Sequence, residues 1–176
     1  DLLIEKEVIS FFEKALRDLK RLDVFVHIMG GFWMGDEVAD TSLKNWNRMM
    51  DLNLNSTFLC TREAFRIMRK QCSGKIFTVS AKTAEESPPQ MGAYSVSKAG
   101  VMALTQTLAH EGKEYDILVN SILPSIIDTP GNRKAMPDAD YSKWVKPEDI
   151  AGLLIQLSRA ETQILSNSNL RVFGKV

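Results

Sequence analysis

The alternation of short apolar runs with long helical patterns constrains this chain more than any other feature. Leu22–Met29 (LDVFVHIM) is almost continuously apolar and ends in Gly30-Gly31. A strand of that kind has no wet face, so it is expected to be buried on both sides. Lys75–Ser80 (KIFTVS), Asp116–Leu123 (DILVNSIL) and Asn169–Phe173 (NLRVF) read as further strands. Helical spacing marks the segments around them. Glu5–Lys20 repeats Val8, Phe11, Phe12, Ala15, Leu16 and Leu19, and Leu43–Lys70 carries Trp46, Met49, Met50, Leu54, Phe58 and Ala64. Helices are also expected over Ala93–Glu111 and from Pro147, a residue suited to a first turn, to Arg159. Strands alternating with helices demand right-handed crossovers and a parallel sheet covered on both faces, an α/β fold of the doubly wound kind.

Ligands of such sheets sit outside the carboxyl ends of the strands. That rule selects Gly30–Gly35, Ser80–Gly92 and Pro124–Lys146. The last is longer than loops usually run without a functional reason, and it reads as a lid. The helix after the second segment opens with GAYSVSKAG, Gly92–Gly100. Its Tyr94 and Lys98 lie one turn apart and share a face. A free phenol titrates near ~10. An ammonium one turn away should favour the phenolate and draw that value towards neutrality, so that the pair exchanges a proton with a substrate oxygen or nitrogen. A Y-x-x-x-K pair alone is a weak signal, and its surroundings decide its meaning.

Composition narrows the classes. With 44% hydrophobic and 25% charged residues and a formal net charge of zero, the chain has the make-up of one globular domain spanning 1–176. Neutral balance gives no electrostatic footprint for nucleic acid, and no basic tract suggests a membrane surface. No apolar run approaches the roughly 18 residues of a membrane span. Cys60, Cys72, His27 and His110 have no metal-ligand spacing, so no metal site is expected. Two free thiols and an acidic, mixed start point to the cytoplasm.

Four segments in order resemble the short-chain dehydrogenases/reductases: RLDVFVHIMGG, DLNLNSTF, GAYSVSKAG and VNSILPSIIDTP. The resemblance covers essentially the whole length and implies a Rossmann-like fold and an NAD(P)(H)-dependent oxidoreductase. It implies Tyr94 as general acid/base, Lys98 as the residue that lowers its pKa and holds the cofactor ribose, and Asn53 as the residue ordering a catalytic water. Asp1, Gly30, Ile127 and Thr129, together with Tyr94 and Lys98, would contact NAD(H) or NADP(H). A homodimer or homotetramer through Leu43–Lys70 and Ala93–Glu111 is implied as well.

The departures carry information. Thirteen residues before Tyr94, where the family usually has a serine, stands Ala81; Ser80 beside it should face the other way on a strand. His27, Ile28 and Met29 replace Asn-Asn-Ala, and Ser125 replaces glycine. Ile127–Trp144, the SAKTA around Ala81 and GGFWMG (Gly30–Gly35) resemble dihydropteridine reductases, which implies a dihydropterin substrate. An ordinary ketone or 3-oxoacyl reductase, or an alcohol dehydrogenase, remains an alternative, as does a non-catalytic binding protein or truncated fragment. Phe32 and Trp33 read either as a platform for a flat ring or as a plug into the core. His27 reads as a satisfied core histidine. No glycine-rich phosphate loop occurs. The family's first βαβ segment is therefore expected to be lacking, about 60 residues by the usual size of such units.

Overall fold

The computed structural model describes residues 1–159 and 164–175. Helix α1 (Glu5–Leu19) has Glu5 and Glu7 in its first turn and Arg17 in its last, charges that complement the helix dipole. It ends at Lys20, whose φ of 64° turns the chain. Strand β1 (Val24–His27) follows. Helix α2 (Leu43–Met49) starts at Ser42, whose hydroxyl accepts the Asn45 N–H at 3.2 Å. It runs through a π-helical turn, Met50–Asn55, into α3 (Ser56–Gln71). Then come β2 (Gly74–Val79), α4 (Thr83–Glu86), α5 (Gly92–Gly112), β3 (Ile117–Pro124), α6 (Pro130–Ala135), α7 (Pro147–Ser158) and β4 (Asn169–Val172), with short 3-10 turns at Lys113–Tyr115 and Tyr141–Lys143.

The four strands form one parallel sheet in the order β1-β2-β3-β4. Val26 pairs with Phe77, Phe77 with Asn120, and Ser121 with Asn169. Alternate residues of each strand serve opposite faces. On one face Ile76, Ile117 and Val119 pack with Val8 and Phe12 of α1, Ala64, Phe65 and Met68 of α3, and Leu108 and Ala109 of α5. Each large side chain buried there contributes about 1.5–3 kcal/mol relative to exposure. Lys75 and Phe77 flank Ile76 and so serve the other face, and both are buried. The Lys75 ammonium donates to the carbonyls of Leu157, at 3.1 Å, and Arg159, at 2.6 Å, fastening the C-terminal end of α7 to the sheet. Buried Asn120 donates to Leu165 O at 2.8 Å and accepts from Ser168 N at 3.1 Å, which positions the approach to β4. Helices thus lie on both faces, as the alternating pattern requires.

Element boundaries agree with the sequence reading to within about two residues. The expected single helix over Leu43–Lys70 contains the π turn instead of running as uniform α-helix. Ser125–Lys146 is more structured than a bare loop. Ile127 pairs with Val145 in a parallel bridge, the Thr129 hydroxyl caps α6 by accepting Asn132 N–H at 3.2 Å, and Trp144 is buried. Arg133 grips Asp128 through two bonds of 2.5 and 2.7 Å and lies over the Tyr141 ring. Ser125, the residue in place of glycine, donates to Phe173 O at 2.6 Å and extends the junction of β3 and β4. Among the described residues no helix is long and apolar enough to cross a membrane, and no three His, Cys, Asp or Glu residues gather as metal ligands would.

Candidate active site

Lys98 sits on the first turns of α5 and is only 5% exposed. Its ammonium donates to Val79 O at 2.8 Å, at the carboxyl end of β2. An ammonium has three protons to place, and this carbonyl is the acceptor found for it among the described residues. Burial pushes the Lys98 pKa down to about 8. One turn earlier, Tyr94 is half-buried. Its phenol is pushed up to about 12, because burial disfavours the phenolate. This reverses the expected depression. Desolvation outweighs any help from Lys98, whose own charge is engaged by Val79.

Asn53 reaches the same place from the π turn. It is fully buried, and its amide clamps Gly31 from both sides: Oδ1 accepts Gly31 N–H at 2.8 Å and Nδ2 donates to Gly31 O at 3.0 Å. Nδ2 also donates to Ser97 Oγ at 3.0 Å, and the Ser97 hydroxyl donates to Tyr94 O at 2.7 Å. One side chain therefore joins the loop after β1 to the helix that carries Tyr94 and Lys98. The extra residue of a π turn widens the helix locally and is frequent at functional sites. Gly30 lies beneath this junction. A Cβ there would stand 2.8 Å from Asn53 Oδ1 and 3.1 Å from Lys98 Nζ, so no larger residue fits without displacing one of them. The small residues of α5 have a similar basis, since a Cβ on Gly100 would meet Leu54 of the π turn at 2.8 Å.

The structure thus brings Asn53, Gly30, Tyr94 and Lys98 together. Asp1 stands apart in the turn before α1, where its carboxylate accepts Leu3 N–H at 2.9 Å. Ile127 and Thr129 lie beyond β3, with their backbone and hydroxyl used by the Val145 bridge and the α6 cap. Ser80 turns towards α5 and donates to Lys98 O at 2.8 Å. Ala81 is buried and offers a methyl group. His27 is 4% exposed and contacts Ser56 Oγ at 3.3 Å; burial and the Lys98 charge push it down to about 4, so it is neutral at physiological pH. Ser56 passes the bond on to Leu52 O at 2.7 Å. Phe32 is 56% exposed, with its ring centroid 5.0 Å from that of Tyr94 and the planes at 81°. Beside these residues Val38, Thr41, Leu43, Trp46 and Ala93 line an open hollow of about 260 Å³. Sequence reasoning missed Ser97 and Ser56. For Ser97 the available signal was its place in the small-residue stretch, directly before Lys98.

A lysine, a tyrosine and an asparagine thus lie at the carboxyl edge of a parallel sheet flanked by helices, a Rossmann-like arrangement. The family model described as enoyl-(acyl carrier protein) reductase matches residues 1–172, and the chain belongs to the short-chain dehydrogenase/reductase family. A 3-oxoacyl-[acyl-carrier-protein] reductase of Synechocystis sp. is 31% identical over 153 residues, 84% of this chain and 62% of that protein. A 2-dehydro-3-deoxy-D-gluconate 5-dehydrogenase of Dickeya dadantii is 27% identical over 176 residues, covering 94% and 69%. This chain therefore spans less than two thirds of the first relative's length. Among solved structures, a short-chain type dehydrogenase/reductase from Mycobacterium ulcerans superposes with a TM-score of 0.93 at 26% identity, over 99% of this chain and 67% of that one. The NADP-bound ElxO shares the fold with a TM-score of 0.92 at 24% identity, over 99% and 75%.

Proposed function

We propose that the protein bearing this chain is an NAD(P)(H)-dependent oxidoreductase in which Tyr94 exchanges the substrate proton. The observation that carries this reading is the buried Lys98 ammonium, one turn from Tyr94, held by Val79 O beside Gly30 and next to the Asn53 clamp. The residues fit a nicotinamide dinucleotide. Lys98 has protons to offer to ribose hydroxyls, and the lack of a Cβ at Gly30 leaves room for the Lys98 ammonium and the Asn53 amide beside the backbone. Asp1, Ile127 and Thr129 are proposed as further contacts, towards the adenine and the nicotinamide amide. When bound, the cofactor supplies or accepts a hydride. With its phenol held well above neutral pH, Tyr94 is protonated and acts as the acid when a substrate is reduced.

The relatives, a 3-oxoacyl-[acyl-carrier-protein] reductase among them, point to carbonyl or hydroxyl substrates such as a 3-oxoacyl group. A second reading, reduction of a dihydropterin, is favoured by the buried methyl of Ala81. A conjugated, electrophilic acceptor needs less help from a second hydroxyl than a ketone does. We further propose that the chain is one domain and assembles as a dimer or tetramer through the long helices, on which Phe58 and Val96 are exposed. Tyr94→Phe tests the chemistry. In the full-length protein turnover should fall by at least about a hundredfold, the lower end of general acid contributions. NADH affinity, read by fluorescence, should hold. Retained turnover on every substrate would make the tyrosine structural.

A further inference from the structure

The loop after β1 is fixed at both ends, and Phe32 and Trp33 stand between its anchors. Gly31 is held through its N–H and C=O by Asn53, and Gly35 N–H donates to Gln90 O at 3.1 Å, in the segment that leads into α5. Between these anchors Phe32 meets Tyr94 edge to face. Its side chain is neither a core plug nor a free surface group, because it is 56% exposed and yet in ring contact with the proposed proton donor. We propose that Phe32 is a specificity-determining residue that gives the substrate side of Tyr94 a flat apolar wall and selects planar, conjugated acceptors over aliphatic carbonyl compounds. The inference rests on the reading of Tyr94 as the proton donor.

Three physical points support it. An edge-to-face pair leaves part of the Phe32 ring uncovered, and an uncovered ring stacks best on another flat π-system. The anchors at Gly31 and Gly35 mean that little conformational entropy is lost when a substrate settles against the ring. Phe32 also helps to shield the phenol from water, and burial is the cause of that group's raised pKa.

The test uses the full-length protein and the variants Phe32→Leu, Phe32→Trp and Phe32→Ala. Menadione serves as the flat acceptor and ethyl acetoacetate as the aliphatic one. Phe32→Leu keeps bulk but loses planarity, so KM for menadione should rise about tenfold, the scale of one lost ring contact. KM for ethyl acetoacetate should stay within about twofold. Phe32→Trp should restore menadione. Menadione binding, read by quenching of intrinsic fluorescence, makes the same comparison without turnover. Ultraviolet difference titration, with Tyr94 assigned by subtracting Tyr94→Phe, should show the phenol ionising at lower pH in Phe32→Ala. Unchanged KM ratios, unchanged menadione affinity or an unmoved titration would overturn the proposal. If Tyr94→Phe itself stays active, the reading of Tyr94 fails instead, and the two failures are told apart.

Discussion

Lys98 is held where an ammonium is least welcome, and its titration states the cost. Its folded pKa of about 8 lies below the ordinary 10.5, so between those values the unfolded chain binds more protons than the folded one. Stability contributed by this group therefore rises with pH across that window and is lowest at and below pH 8. Lys98→Met should stabilise the fold at pH 7 by on the order of 3 kcal/mol. The gain should shrink to nothing as the pH approaches 10.5, while NADH binding is lost at every pH. Denaturant titrations of both proteins at several pH values check this; a variant less stable at neutral pH would contradict it. The four-residue spacing made the Tyr94–Lys98 pair legible in the sequence. The direction of the phenol shift was not, because spacing reports proximity and says nothing of how much water a fold removes. Nor could it foretell that Lys98 would spend a proton on Val79 O.

At the scale of elements, the π turn at Met50–Asn55 is the joint on which the site hangs. Asn53 there makes two bonds to Gly31 and one to Ser97, with a longer contact to Met49 Sδ. Asn53→Ala leaves partly buried backbone groups of Gly31 without partners, a loss of about 1–3 kcal/mol. Asn53→Asp can still accept from Gly31 N–H but cannot donate to Gly31 O or Ser97, so an intermediate loss is expected. Urea unfolding ranks the three proteins, and turnover should follow the same order. The strands were legible because burial on both faces leaves a near-continuous apolar run, as in β3. Strand β1, at the end of the described sheet, is only partly buried apart from His27, a departure from the burial on both sides expected of its apolar run. The π turn was hidden. Apolar spacing over Leu43–Lys70 fits a 3.6-residue period on either side of it, and one inserted residue alters that count too little to see. Helices α4 and α6 were also missed, since four and six residues are too few for any period.

In the whole molecule a second buried lysine has the opposite function. Lys75 crosses from the sheet to α7 and donates to two carbonyls at its C-terminal end, where a helix has unpaired acceptors and favours a cation. Lys75→Met should therefore destabilise the fold by about 1–3 kcal/mol. A lower melting temperature for Lys75→Met beside a higher one for Lys98→Met is the expected pair of results, and calorimetry of both variants checks it. The two lysines look alike in sequence, since each lies in or beside a stretch of small and apolar residues. Only the packing of α7 and the position of the Val79 carbonyl separate the structural role from the proposed chemical one. The order β1-β2-β3-β4 has a further consequence, which concerns time. Among the described strands each one's next neighbour in the sheet is the next to leave the ribosome, so the order of the sheet follows the direction of synthesis. Gly30, Gly31 and Asn53 are synthesised before α5, and the bond from Asn53 to Ser97 forms once α5 follows. Lys98 comes with α5, and its charge is buried only after the surroundings that hold it have been synthesised.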